Sequence, residues 1–80
     1  MGVLRILSHH GDDRVVWDQT AVDTSTEAQA AVREAERIFA EQRAHGATAV
    51  KVSPGRPAER IEKFDPYAEE IVMIPRVVGG

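Results

Sequence analysis

The 80-residue sequence contains no cysteine, only 5% aromatic residues and no long apolar run. Without cysteine the chain forms neither a disulfide nor a cysteine-ligated zinc site, so a small apolar core must stabilise it. No segment approaches the roughly 18 consecutive apolar residues that a membrane span requires, and the first residues lack the apolar core of a signal peptide. We therefore predict a cytoplasmic protein with no membrane partner.

Positive charge is also scarce. The sequence has 10 Lys and Arg against 13 Asp and Glu, which gives a formal net charge of −3. A protein that binds duplex nucleic acid usually presents a cationic face, so this balance argues against nucleic acid as a partner. The length allows one domain, which buries about 60% of the surface that its unfolded chain would expose.

Two short strands are predicted at the start of the chain. Residues 3–7 are rich in branched apolar residues around the single charge of Arg5, and residues 14–18 predict a second strand in which Val15 and Trp17 share one face. Between them lies a polar segment in which Gly11 suits a turn with positive φ. Two strands and a five-residue loop that contains glycine predict a β-hairpin. We expect Trp17 in the core, because a buried aromatic ring supplies much of a small core's volume.

A long helix is predicted after the hairpin. Apolar residues recur at spacings of three and four over residues 27–45, which is the periodicity of one helix face. Thr24 and Thr26 each have a Glu or Gln three residues later, which is the spacing of a capping box. Gly46 suits the position that follows the end of a helix. The apolar stripe consists of Ala28, Ala31, Val32, Ala35, Ile38 and Phe39.

Three more strands are predicted after the helix. Residues 48–52 form one strand, and residues 60–64 form a second that is polar enough to lie at a sheet edge. Residues 70–74 contain four apolar residues in a row, which is typical of a central strand covered on both faces. Pro75 ends this last strand because it has no amide proton for the ladder.

The predicted element order is β-β-α-β-β-β, which favours an α+β domain of the ubiquitin-like β-grasp type, with one long helix packed on a mixed sheet. We predict this domain over residues 1–76, followed by a flexible tail over residues 77–80 that ends in Gly-Gly. A split βαβ plait and a double-stranded-RNA-binding domain have related element orders. The latter fits poorly, because it needs a basic face and usually a second helix at the end.

The last ten residues, 71–80, carry a more specific resemblance. An apolar strand runs into Pro75 and then through small or apolar residues to Gly79-Gly80. This ending resembles those of the small subunit of molybdopterin synthase and of the thiamine-pathway sulfur carrier, and ubiquitin-like modifiers share the terminal Gly-Gly. Arg76 stands where those carriers usually have a second proline, and Val78 where they often have Ala, Ser or Thr. Sulfur carriage and protein conjugation therefore both stay open.

The resemblance implies that a partner enzyme adenylates the carboxylate of Gly80. A sulfur nucleophile then displaces the adenylate and forms a thiocarboxylate or a thioester. Gly79 and Gly80 have no side chains, so they suit a narrow active-site channel. The implied partners are an adenylating enzyme and a downstream acceptor protein, and the chain itself is expected to need no cofactor and no catalytic residue. The residues expected to contact the partner are Met73, Arg76, Val77 and Val78.

No set of residues predicts an enzyme or a metal site. His9 and His10 lie in one loop with two aspartates, but no further ligand group elsewhere supports them, so a solvated loop is the expectation. The serines lie in turn or cap contexts without a recognisable histidine and acid partner. The alternative function is a non-catalytic β-grasp adaptor or accessory subunit, for example of a multicomponent enzyme or a phage assembly. Such an adaptor would bind a protein partner through its sheet or its tail.

Overall fold

The computed structural model describes residues 1–8 and 11–76, apart from the side chain of Asp12. These residues form a five-stranded mixed sheet and one long helix, which confirms the predicted α+β class. A single 3₁₀ turn precedes the helix. In chain order the elements are β1 (Gly2–Ser8), β2 (Gly11–Trp17), the 3₁₀ turn (Gln19–Ala21), α1 (Thr26–Ala44), β3 (Thr48–Val52), β4 (Glu59–Ile61) and β5 (Glu70–Ile74).

The strand order across the sheet is β2-β1-β5-β3-β4. β1 and β5 run parallel, whereas the pairs β1–β2, β3–β5 and β3–β4 are antiparallel. The hairpin of β1 and β2 is followed by α1, and the last strand of the chain then inserts between the first and third strands. This is a β-grasp-like arrangement, in which β5 is central and β4 is an edge strand, as predicted.

The core lies between α1 and one face of the sheet. Leu4, Ile71 and Met73 are fully buried there, because alternate residues of neighbouring strands point to the same face. Burial of each such side chain stabilises the fold by about 1.5–3 kcal/mol relative to leaving it exposed. The helix contributes mainly small residues, which lets it lie close to the sheet. Its buried residues are Ala28, Ala35 and Phe39.

Trp17 belongs to this core, as predicted, and its indole nitrogen forms a hydrogen bond. Its Nε1 donates a hydrogen bond of 2.8 Å to the carbonyl oxygen of Pro66. Phe64 packs between Trp17 and Phe39, with ring centroids 5.4 and 5.7 Å apart. Gly2 pairs with Trp17 across the hairpin, and a Cβ at Gly2 would overlap the indole ring. The first strand therefore begins with a glycine that makes room for the tryptophan.

The N-cap of α1 is Ser25, whose hydroxyl accepts a hydrogen bond of 3.3 Å from the amide of Ala28. The capping boxes predicted at Thr24 and Thr26 are wrong, because Thr26 is already the first helical residue and the chain enters the helix at Ser25. The helix itself spans residues 26–44, one residue earlier than predicted at each end.

The C-terminal end of α1 is closed by Gly46, as predicted. Its φ of +90° lies in the left-handed region, which costs glycine little and other residues about 1–2 kcal/mol. The amides of Gly46 and Ala47 donate hydrogen bonds of 3.0 Å to the carbonyl oxygens of Arg43 and Gln42. This pair of bonds is the Schellman motif, and it satisfies two carbonyls that the helix leaves without partners.

Three predicted strands have different bounds in the structure. β1 covers Gly2–Ser8 rather than residues 3–7, because its pairing with β2 extends to both of these residues. β2 begins at Gly11 rather than at residue 14, since Gly11 pairs with Ser8 and extends the hairpin towards its turn. β4 covers Glu59–Ile61 rather than residues 60–64, because the chain bends after Ile61 and turns Phe64 towards the core cluster. In the part of the chain that the structure describes, no helix is long and apolar enough to cross a bilayer.

Candidate functional site

The face of the sheet that points away from α1 carries seven apolar side chains, all of them half-buried or exposed. We call it the open face, because no described helix or strand lies over it. β5 was predicted to be covered on both faces, and this is wrong: the helix covers one face only, and Ile74 on the other face is 41% exposed. The apolar side chains of the open face are those of Val3, Leu7, Val16, Val50, Val52, Val72 and Ile74.

One row of side chains crosses all five strands of the open face. Neighbouring strands lie about 4.8 Å apart, so the four steps of the row span about 19 Å. The row has an arginine at each end and two valines in its middle. From β2 to β4 its members are Arg14, Arg5, Val72, Val50 and Arg60.

The described side chains of this face also include charged residues. Arg5 donates a hydrogen bond of 3.3 Å from its guanidinium to Glu70 Oε2, and both side chains are partly buried. Arg14 lies directly opposite Arg5 on β2, and like charges in that position destabilise a sheet. Arg14 and Arg60 are exposed and form no ion pair with any side chain that the structure describes. Among those side chains, the open face therefore carries three arginines and one carboxylate.

The C-terminal segment leaves the sheet at its centre. Ile74 pairs with Thr48, the first residue of β3, so β5 ends beside the C-terminal end of α1. Pro75 cannot continue the ladder. Arg76 is exposed, and its Cδ lies 3.1 Å from where a Cβ on Gly46 would be. A cation at this end of a helix interacts favourably with the helix dipole. Arg76 is thus the last described residue that packs on the domain.

The structure separates the residues predicted to contact a partner. Arg76 is accessible, as that role requires. Met73 is fully buried, because its register neighbours Ile6 and Ala49 lie on the helix side of the sheet. Its side chain has no surface to offer, so the prediction of a partner contact at Met73 is corrected. The remaining predicted residues, Val77, Val78, Gly79 and Gly80, lie outside the described residues.

Sequence reasoning missed the row of arginines and valines. Successive side chains of a strand point to opposite faces, so the sequence predicts that Arg5 points away from the face of Leu4 and Ile6. That pattern assigns residues to two faces, but it does not tell which strands are neighbours. Arg14, Arg5 and Arg60 come together only through the strand order of the sheet.

The described residues also form a surface groove at the turn between β3 and β4. The groove, of about 440 Å³, lies at the turn between β3 and β4, where Lys51 forms a 3.4 Å ion pair with Asp65. No group of three potential metal ligands occurs within residues 1–8 and 11–76, and His9 and His10 lie outside them. The groove is lined by Lys51, Ser53, Arg56, Pro57, Ala58 and Glu59, and no described hydrogen bond joins the Ser53 hydroxyl to Lys51 or Glu59.

Comparison of the chain with protein-family models, with curated proteins and with solved structures finds no match. Two features therefore carry the functional argument. One is the β-grasp-like sheet, whose central strand leads into the C-terminal segment. The other is the open face with its apolar and cationic side chains.

Proposed function

We propose that this chain is a ubiquitin-like carrier or modifier protein, whose Gly80 carboxylate is adenylated by a partner enzyme. The activated carboxylate is then thiocarboxylated or conjugated to another protein. The observation that carries the proposal is the position of β5, which is central in the sheet and continues directly into the segment that contains Gly79-Gly80. A segment that leaves a rigid central strand can enter a partner while the domain stays outside.

The length of the C-terminal segment supports this function. Arg76 packs against Gly46, and four residues follow it in the sequence. Fully extended, four residues span about 13 Å, which is enough to carry a carboxylate from the domain surface into a partner's active site. The two glycines add no side chains and accept any backbone conformation that a channel imposes.

The chemistry requires only the carboxylate from this chain. A carboxylate oxygen of Gly80 attacks the α-phosphorus of ATP, and pyrophosphate leaves. Sulfide or a thiolate then attacks the carbonyl carbon, and AMP leaves with the electron pair of the broken C–O bond. The product is a thiocarboxylate from sulfide or a thioester from a thiol. The partner enzyme supplies the catalytic groups for both steps, and we place the reaction in the cytoplasm.

Intact-mass spectrometry tests this proposal. The chain is first isolated from its host to establish that the mature protein ends at Gly80. It is then incubated with the host's adenylating enzyme, Mg-ATP and sulfide. We expect an ATP-dependent exchange of one C-terminal oxygen for sulfur. A folded variant that lacks residues 79–80 serves as the control and should stay unmodified. A wild-type chain that gains neither an adenylate nor sulfur would contradict the proposal.

The open face favours a second candidate function, that of a non-catalytic adaptor or accessory subunit. Val16 and Ile74 are 48% and 41% exposed on this face, which gives the domain a binding surface that needs no chemistry at Gly80. The same truncation separates the two functions. Removal of residues 79–80 should abolish carriage or conjugation, whereas an adaptor that binds through its sheet should keep its activity.

A further inference from the structure

We propose that Ser53 is a site of phosphorylation, and that Lys51 and Arg56 hold the resulting phosphate. A serine kinase carries out the reaction with ATP. Ser53 Oγ attacks the γ-phosphorus of ATP, ADP leaves with the electron pair of the broken P–O bond, and the hydroxyl proton passes to a base of the kinase. This site is independent of the proposed function, because it involves neither Gly80 nor the open face.

The turn after β3 brings Ser53 and Arg56 together. The amide of Arg56 donates a hydrogen bond of 3.2 Å to the carbonyl oxygen of Ser53. Pro54 and Gly55 lie between them, and the φ of Gly55 is +72°. A proline followed by a residue with positive φ is typical of a type II β-turn, whose first and fourth Cα atoms are less than about 7 Å apart. Both side chains line the groove, so the guanidinium of Arg56 can reach a phosphate on Ser53.

A second cation lines the same groove. Lys51 lies near the end of β3, two residues before Ser53. Its Nζ donates one hydrogen bond, of 3.4 Å, to Asp65. An ammonium group has three N–H donors, so Lys51 can also bind a phosphate oxygen. The side chains that line the groove carry two positive charges and one negative charge, that of Glu59, which leaves a net positive charge for an anion.

Ser53 is the serine whose hydroxyl is available. The chain has three serines. Ser8 donates a hydrogen bond to the carbonyl oxygen of Gly11, and Ser25 caps α1. The Ser53 hydroxyl forms no hydrogen bond within the part of the chain that the structure describes, and the residue is half-buried. Residues 54–60, which follow it directly, are all exposed, so a kinase has an accessible segment of chain to bind.

A phosphate on Ser53 changes what Lys51 contacts. A phosphoserine carries a charge of about −1.5 to −2 at neutral pH and has three acceptor oxygens. It therefore forms charge-assisted hydrogen bonds with Lys51 and Arg56, and it competes with Asp65 for the Lys51 ammonium. Asp65 also accepts a hydrogen bond of 2.9 Å from the amide of Tyr67. The modification thus affects the loop before β5 by way of Lys51 and Asp65.

The groove favours a phosphate that is bonded to the chain over a free anion. Glu59 lies directly opposite Lys51 on β4 and weakens the attraction of the groove for any anion. A free ion would in addition lose its translational freedom on binding. A phosphate on Ser53 has no such loss, because the covalent bond already holds it beside both cations.

Mass spectrometry of the chain isolated from its host, with phosphatases inhibited, tests the modification. We expect a fraction of the chain to carry one phosphoryl group, which fragmentation locates at Ser53 and which phosphatase treatment removes. The variant Ser53→Ala, expressed in the same host, should carry none. A wild-type chain without phosphate, or with phosphate at other hydroxyl groups only, would overturn the proposal.

A chain produced with phosphoserine at position 53 tests the two cations. Phosphorus nuclear magnetic resonance follows the second ionisation of the phosphate, whose pKa is ordinarily about 6. Lys51 and Arg56 favour the dianion, so they should raise its acid dissociation constant about tenfold. Arg56→Gln and Lys51→Gln should each remove part of this increase, whereas Arg33→Gln, on the exposed side of α1, should not. An ordinary dissociation constant in the phosphorylated chain would overturn the proposed contacts.

Amide spectra of the ¹⁵N-labelled chain separate a modification site from a binding site for free anions. In the phosphorylated chain the signal of Tyr67 should shift, because its acceptor Asp65 loses contact with Lys51, and an unchanged signal would overturn this coupling. The unmodified chain is titrated with inorganic phosphate, and saturable binding at residues 51–59 at millimolar concentration would overturn the assignment to a modification. Removal of residues 79–80 should change neither result, so failure of the tail chemistry and failure of this site are distinguishable.

Discussion

At the scale of single residues, Tyr67 links two segments that are distant in the sequence. Its hydroxyl donates a hydrogen bond of 3.0 Å to Asp23 Oδ1, and its amide donates one of 2.9 Å to Asp65 Oδ1. The loop before β5 is thereby tied to the segment that enters α1. The hydrogen bond to Asp23 raises the pKa of Tyr67 above its ordinary value, because ionisation would break the bond and place a phenolate beside a carboxylate.

The change Asp23→Asn should lower the pKa of Tyr67 towards its ordinary value. Tyr67 is the only tyrosine, so the alkaline rise of phenolate absorbance reports on this residue alone. The pKa of Tyr67 is higher in the folded state than in the unfolded state. The hydrogen bond to Asp23 therefore contributes its full stabilisation at pH values below the unfolded-state pKa. This contribution is lost as the pH rises through the folded-state pKa. Tyr67→Phe is the blank for the titration. If Asp23→Asn gave the same titration curve as the wild-type protein, the hydrogen bond to Asp23 would not be the cause of the raised pKa.

At the scale of secondary structure elements, α1 shows what a local pattern determines. The spacing of apolar residues located the helix to within one residue at each end, and Gly46 marked where it stops. The N-cap was harder to place, because Thr24, Ser25 and Thr26 all have side chains that cap helices. Their hydroxyls are chemically similar, so the backbone conformation at Ser25 decides which of them reaches a free amide.

Ser25→Ala should destabilise the protein by about 1 kcal/mol, because the amide of Ala28 then loses its hydroxyl acceptor. The matched change Thr24→Ala lies one residue earlier in the chain and should cost well under half as much, since Ser25 already caps the helix. Urea unfolding followed by circular dichroism measures both values. A larger loss for Thr24→Ala than for Ser25→Ala would show that the cap is misplaced.

At the scale of the whole molecule, one helix covers one side of the sheet, so neighbouring residues of β5 have opposite roles. Met73 is fully buried among Leu4, Ala49 and Ile71, whereas Ile74 faces away from the helix. The sequence shows both residues as members of one apolar run. They differ in exposure because α1 covers only one face of this central strand in the described domain.

Met73→Ala should destabilise the domain by about 2–5 kcal/mol, since it leaves a cavity in a small core. Ile74→Ala removes a comparable apolar side chain from the open face and should cost much less, because Ile74 keeps 41% of its surface in water. Urea unfolding of the two variants provides the comparison. Similar losses would mean that the open face is buried in the protein as it exists in solution.

The candidate site was only partly predictable at this scale. Arg76 was expected to contact a partner, and its exposed position after Pro75 leaves that prediction open. Met73 was also expected among the partner contacts, on the resemblance of the C-terminal ending. The structure instead places it in the core. Exposure depends on what packs over a strand, and no pattern within the strand contains that information.

The sequence by itself determined the type and order of the elements. Helix and strand periodicities are local, so residues 48–52 and 70–74 were predicted with the bounds that the structure has. Tertiary structure alone decided the parallel pairing of β1 with β5 and the choice of face that α1 covers. The alternation of side chains shows that each strand has two faces. It does not show which strands are neighbours in the sheet or which face the helix covers. For that reason the row from Arg14 to Arg60, built from five separate strands, exists only in the folded protein.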